Sequence, residues 1–189
     1  MDLPAALTSR PVFLAGMMGS GKSTIGRLLA RRTGSTFVDL DVRIERLAGR
    51  SVPTLFEQGE QHFRALEAVA LRTLLHEPGL RGGRVVVSLG GGTPMQAGPR
   101  AWIAGAGTSI YLRVGPEALI DRLSRPEAVA ARPLLDRTTL ESRIRRLLSD
   151  RGSRYEALDF TVDAEAAPET VVDRIIETLS RAGASADGS

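Results

Sequence analysis

Between Gly16 and Ser23 the chain reads GMMGSGKS, which satisfies the pattern G-x-x-x-x-G-K-[ST]. Each residue type in it has a task at a polyphosphate. Gly19 and Gly21, with Ser20 between them, let the backbone turn tightly enough for successive N–H groups to face phosphate oxygens, and the positive end of a following helix adds to the attraction. Lys22 would meet the β and γ phosphates of ATP, the Ser23 hydroxyl would be a ligand for Mg²⁺, and Thr24 carries the loop into its helix. Given 20 glycines and a single lysine, an accidental match is expected roughly one or two times in a thousand. That lysine is Lys22 itself; every other cationic side chain, apart from the two histidines, is arginine. A flexible point charge suits this site where a planar guanidinium does not.

Two carboxylates follow in FVDLD, at Asp39 and Asp41. Read as an extended segment, the spacing places both on one face, at the strand end where ligands of a parallel sheet bind. The alternative for Asp41 is that it only caps the next helix. Absences narrow the chemistry further. With its one lysine committed, the chain has no N-K-x-D guanine-reading motif. The apolar run RVVVSL, where motor and transporter ATPases carry an acid, ends instead in Gly90, Gly91 and Gly92.

These groups need a scaffold, and short β-type runs alternate with longer helical patterns as βα repeats around a parallel sheet. Strands are expected at 12–15, 36–39, 84–89, 109–114 and 159–162. Helices are expected at 22–33, 41–48, 60–76, 97–104, 116–124, 138–150 and 169–181. The unalternated VVV of Val85 to Val87 fits a strand covered on both faces. Trp102 reads as a packing residue. The segment 124–136, SRPEAVAARPLLD, has two prolines and no period, and reads as a mobile loop.

At 189 residues and 42% hydrophobic content, one domain is expected, over 1–182, followed by a flexible tail at 183–189. Net charge is +3 although the pI is about 10.1. Arginine titrates too high to lower that pI, so the value does not argue for nucleic acid. Zero cysteines exclude disulfides, thiolate catalysis and Cys-ligated zinc. The apolar run VFLAGMM is too short to cross a bilayer, and a cytoplasmic, unprocessed protein is expected.

From residue 11 to 180 the chain resembles the shikimate kinases. The resemblance is carried by GMMGSGKSTIG, FVDLD, GRSVPTLFEQGEQHFRALE, SLGGG, ARPLL and R-x-x-x-Y at Arg151 to Tyr155, in that order. It implies a single-domain P-loop kinase of the nucleoside-monophosphate-kinase type, with a five-stranded parallel sheet in the order 2-3-1-4-5. It also implies ATP-dependent phosphorylation of the 3-hydroxyl of shikimate.

Residue by residue, the resemblance makes Asp41 the acceptor of hydrogen bonds from the ring hydroxyls. Arg64 and Arg151 would hold the substrate carboxylate, with Glu67 orienting Arg64. Gly91 and Gly92 would approach the substrate with their backbone. Phe56 and Phe63 are either pocket walls or plain core. Asp39 would reach Mg²⁺ through water, beside Ser23, and Arg132 would close onto the phosphates from a lid at 123–136. The acceptor-binding segment would be 41–70, with Arg122 and Pro168 as candidates to flank adenine. The chain departs from the family pattern in a shorter Phe56 to Phe63 spacing, a longer lid, and GSR before Tyr155. ATP and shikimate are the expected small-molecule partners of a monomer, with no nucleic acid and no membrane. Another kinase of this fold, acting on gluconate or a nucleoside monophosphate, is the nearest alternative.

Overall fold

The computed structural model describes residues 10–125 and 139–186. Its sheet is parallel and five-stranded in the order β2-β3-β1-β4-β5, as expected. The strands are β1 Val12–Ala15, β2 Thr36–Asp39, β3 Val85–Ser88, β4 Thr108–Arg113 and β5 Phe160–Asp163. Composition sorts them into centre and edge. VFLA of β1 and VVVS of β3 are buried at every position, whereas TFVD of β2 and FTVD of β5 keep exposed residues. Strands apolar throughout can be stable only with helices on both faces.

The register aligns the ends that matter. Asp39 pairs with Ser88 and Ser88 with Leu14, so the segments after β2, β3 and β1 leave the sheet along one edge. That edge receives the phosphate loop, the residues around Asp41 and the triple glycine together.

Helix α1, Lys22–Thr33, is stopped by Gly34 in the left-handed region. Helix α2, Leu40–Ala48, starts one residue earlier than read from sequence, with Asp39 as its N-cap. This corrects the extended reading of FVDLD: Asp39 ends the strand and Asp41 already lies in the first helical turn. Helix α3, Val52–Glu57, was not expected; Ser51 caps it and Pro53 sits in its first turn, where a missing N–H costs nothing. Helix α4, Glu60–Leu75, buries Phe63, Glu67, Ala70, Leu71 and Leu74 along one stripe. A carboxylate inside such a stripe requires partners.

A short α5, Pro78–Arg81, precedes β3, and a 3₁₀ turn, Thr93–Met95, follows the glycines. Helix α6, Ala97–Ala106, carries Trp102, half-buried against the core. Helix α7 spans Pro116–Ser124, so the first residues assigned to the lid are its last turn, and Leu123 there is buried. Helix α8 runs Leu140–Glu156, beyond the expected end at 150. Gly152 disfavours a helix by about 1 kcal/mol, but the burial of Ile144 and Tyr155 outweighs it. Helix α9, Pro168–Ala186, continues into the expected tail because the alanines there favour helix. Among the described residues no helix is long and apolar enough to cross a membrane.

Candidate active site

The phosphate loop turns between β1 and α1. Gly16, Gly19 and Gly21 all have positive φ, and a Cβ on Gly16 would come within 2.8 Å of the Leu112 carbonyl oxygen. Only glycine fits that contact. Lys22 is half-buried and its Nζ donates to the carbonyl oxygens of Gly16 and Met17, each at 2.9 Å. The ammonium is thereby held over the loop. Ser20 is fully buried, and among the described residues its Oγ has no hydrogen-bond partner.

The Ser23 hydroxyl donates to Asp39 Oδ2 at 2.6 Å. The other oxygen, Oδ1, accepts the backbone N–H of Asp41 at 3.1 Å. Paired hydroxyl and carboxylate oxygens form a hard donor set, the kind Mg²⁺ takes together with water, so these residues fit that ion. Asp41 is pushed up to about 6, chiefly by burial. The negative charges of Asp39 and Glu67 add to the rise, while Lys22 and Arg64 oppose it.

Glu67 is the centre of the acceptor side. It is 0% exposed, and three groups donate to it: Thr93 Oγ1 to Oε1 at 2.7 Å, Gln96 Nε2 to Oε2 at 2.8 Å, and Arg64 Nη1 to Oε2 at 2.8 Å. A buried carboxylate satisfied this fully is stiff, and so is the guanidinium it holds. Arg64 also donates to Glu60 at 3.1 Å and lies over Phe56 and Phe63, whose rings stack at 4.2 Å. Phe63 is core and Phe56 half-buried, so together they form the floor under Arg64.

The triple glycine passes between these groups. A Cβ on Gly90 would overlap Glu67 Oε1 and lie 3.2 Å from Asp41 Oδ1, and one on Gly92 would overlap the Arg64 guanidinium. A Cβ on Gly91 would lie 3.4 Å from the Gly16 carbonyl oxygen and 3.8 Å from Arg151 Nη1. The loop therefore has phosphate-loop backbone on one side and arginines on the other. Tyr155, one helical turn after Arg151, donates its hydroxyl proton to the Gly91 carbonyl and stacks on Tyr111 at 4.9 Å. Burial pushes this phenol up to about 12, so it remains a donor at working pH. Arg64, Gly92, Gln96, Leu147 and Arg151 border a cleft of about 520 Å³.

Three partners were not found from sequence. Gln96 and Thr93 are far from Glu67 along the chain and carry no local signal. Tyr155 stood inside a recognised motif, but only its contact with Gly91 reveals a task. Arg122, a candidate to flank adenine, donates through Nη2 to the carbonyls of Ala164 and Glu165 at 3.0 and 3.1 Å and through Nη1 to Gly19 at 3.4 Å. It joins the phosphate loop to the segment leading into α9. Pro168 and Thr24 border a second cavity with Arg27, Leu28, Arg31 and Glu169. Arg132, with most of the expected lid, lies outside the described residues.

A family model described as shikimate kinase matches residues 18–180. A shikimate kinase of Bradyrhizobium diazoefficiens is 41% identical over 180 residues, covering 94% of this chain and 83% of that protein. Among solved structures, a shikimate kinase from Acinetobacter baumannii in complex with shikimate superposes with a TM-score of 0.81 at 32% identity, over 93% of this chain and 95% of that one. The shikimate kinase of Aquifex aeolicus gives 0.73 at 30% identity, over 89% and 95%.

Proposed function

The chain belongs to the shikimate kinase family and is a kinase, and from that premise we propose that it transfers the γ-phosphoryl group of ATP to the 3-hydroxyl of shikimate. One observation carries the reading: the triple glycine lies between Gly16 of the phosphate loop and the guanidinium groups of Arg64 and Arg151. A small acid seated on those arginines would present its ring to the phosphate loop across Gly91 and Gly92.

The division of labour follows from the transition state. Phosphoryl transfer is loose, so alignment and charge stabilisation outweigh proton removal. Lys22 supplies positive charge where the γ phosphate becomes more anionic. Asp41 accepts a hydrogen bond from the attacking hydroxyl, fixes its direction, and takes its proton as the new P–O bond forms and the bond to ADP breaks. A carboxyl near pH 6 is ionised at neutral pH yet more basic than an ordinary aspartate. Arg64, held by Glu67, and Arg151 bind the acid end with charge-assisted hydrogen bonds.

Mg²⁺ would be held by Ser23 directly and by Asp39 through water, and when bound it neutralises phosphate charge. We assign Arg132 the closing of a lid over the phosphates, which excludes water. We take the enzyme to act as a monomer in the cytoplasm.

The test is a coupled assay offering ATP with shikimate, shikimate methyl ester, gluconate or AMP. Shikimate should be the substrate. Its ester should lose about a hundredfold or more in kcat/KM, because two guanidinium groups would face a neutral group. Turnover of the ester equal to the acid, or of gluconate or AMP in place of shikimate, would overturn the assignment.

A further inference from the structure

Charge in the acceptor cleft is unevenly compensated. Arg64 is met by two carboxylates of its own helix, Glu60 at 3.1 Å and Glu67 at 2.8 Å. On the opposite wall, Leu147, Asp150, Arg151 and Arg154 border the cleft at the i, i+3, i+4 and i+7 positions of α8. Asp150 lies 3.7 Å from Arg146 Nε, on the same helix. Among the described residues, neither Arg151 nor Arg154 has an ion-pair partner. Arg151 is half-buried beside Gly91, whereas Arg154, one turn further along, is exposed at the rim.

We propose that Arg154 is a specificity-determining guide for anionic acceptors: it draws the substrate carboxylate to the mouth of the cleft, and Arg64 and Arg151 then receive it. This rests on the shikimate reading above and adds a residue outside the pair that reading uses. The physical basis is the range of the interaction. A rim charge acts through solvent, so its pull reaches about 30 Å at 0.01 M salt and about 3 Å at 1 M. Arginines inside the cleft act through direct hydrogen bonds, which salt screens much less. A guide and a clamp therefore differ in salt dependence even though both are arginines. The acceptor needs only one clamp for its single negative charge, and the compensated Arg64 exerts little long-range field. The unpaired charge at the rim supplies that field.

The experiment compares wild type, Arg154→Gln and Arg154→Lys in steady-state assays with shikimate at about 0.01 M and about 0.5 M salt. Arg154→Gln should lower kcat/KM for shikimate about three- to tenfold at low salt and less than twofold at high salt. Its kcat should change less than twofold. Arg154→Lys should restore most of the loss, since the guide needs charge and not a planar fork. If wild type turns over shikimate but Arg154→Gln matches it at low salt, the guide is refuted. A loss of the same size at both salt concentrations also refutes it, and shows instead a direct contact. If wild type does not phosphorylate shikimate at either salt, the functional reading fails and the guide fails with it.

Discussion

Asp39 caps the helix that carries Asp41, accepting the Asp41 backbone N–H at 3.1 Å with one oxygen and the Ser23 hydroxyl at 2.6 Å with the other. A single carboxylate thus sets the first turn of α2 against the phosphate loop. The two tasks are separable. Asp39→Ala should lose about 1 kcal/mol of stability with the cap, together with activity. Asp39→Asn keeps a good cap, so its melting temperature should stay near that of wild type while its Mg-ATP affinity falls. Calorimetry alongside nucleotide titration checks both; equal destabilisation by the two variants would show that the cap is not the stabilising element.

Asp41→Asn should make the protein more stable and less active. The carboxyl sits near 3.8 unfolded and about 6 folded, so the folded state holds the proton more tightly. Ionising it in place costs on the order of 3 kcal/mol above pH 6. That cost shrinks as pH falls from 6 toward 3.8 and is absent below. The variant should therefore melt several degrees higher than wild type at pH 8, with the gap narrowing at pH 5. Wild-type kcat/KM for shikimate should rise with pH through about 6 and level off, whereas the variant should be slow and flat. A variant less stable than wild type at pH 8 would contradict the burial of this charge.

Tyr155→Phe deletes one donor and leaves the Gly91 carbonyl without it. The expected loss is about 1–2 kcal/mol of stability, with a several-fold rise in the shikimate KM and an unchanged KM for ATP. The split between the two KM values distinguishes positioning of the glycine loop from general loosening, which would raise both.

Lys22 carries the only side-chain amine. A lysine-reactive probe should label one site besides the N-terminus, and Mg-ATP should protect it. Lys22→Met should abolish transfer while preserving the fold, because the deleted charge contacts loop carbonyls and not the core. Labelling unaffected by ATP would place the amine away from the nucleotide.

The alternation of strands and helices, the phosphate loop and the pairing of Arg64 with Glu67 were readable because each rests on local spacing, whereas the strand order followed only from the resemblance to the shikimate kinases. Periodicity places βα units, a motif places Lys22 and Ser23, and i,i+3 brings Arg64 to Glu67. What escaped depends on contacts between distant segments. Gln96 and Thr93 meet Glu67 only because the 3₁₀ turn after Gly92 folds over α4. The extended reading of FVDLD failed because the helix begins at Leu40, before the strand's alternation can reach Asp41. Helix α8 outran its expected end because tertiary burial of Tyr155 overrides the weak helix preference of Gly152.

The strand order also bears on how the chain acquires its shape during synthesis. The centre of the sheet is written first, yet Val12 pairs with Val86 on one side and Thr108 on the other. Emerging from a ribosome, β1 has no neighbour until much of the chain has followed, and contacts so far apart in sequence slow folding. The stretch VFLA must wait, apolar and unpaired, while α1 to α5 are made. Fragments ending before Val85 should leave the amides of Val12–Ala15 unprotected in hydrogen exchange, and ones that reach past Arg113 should protect them. The nucleotide-binding loop, encoded near the start, would then be among the last parts to become rigid.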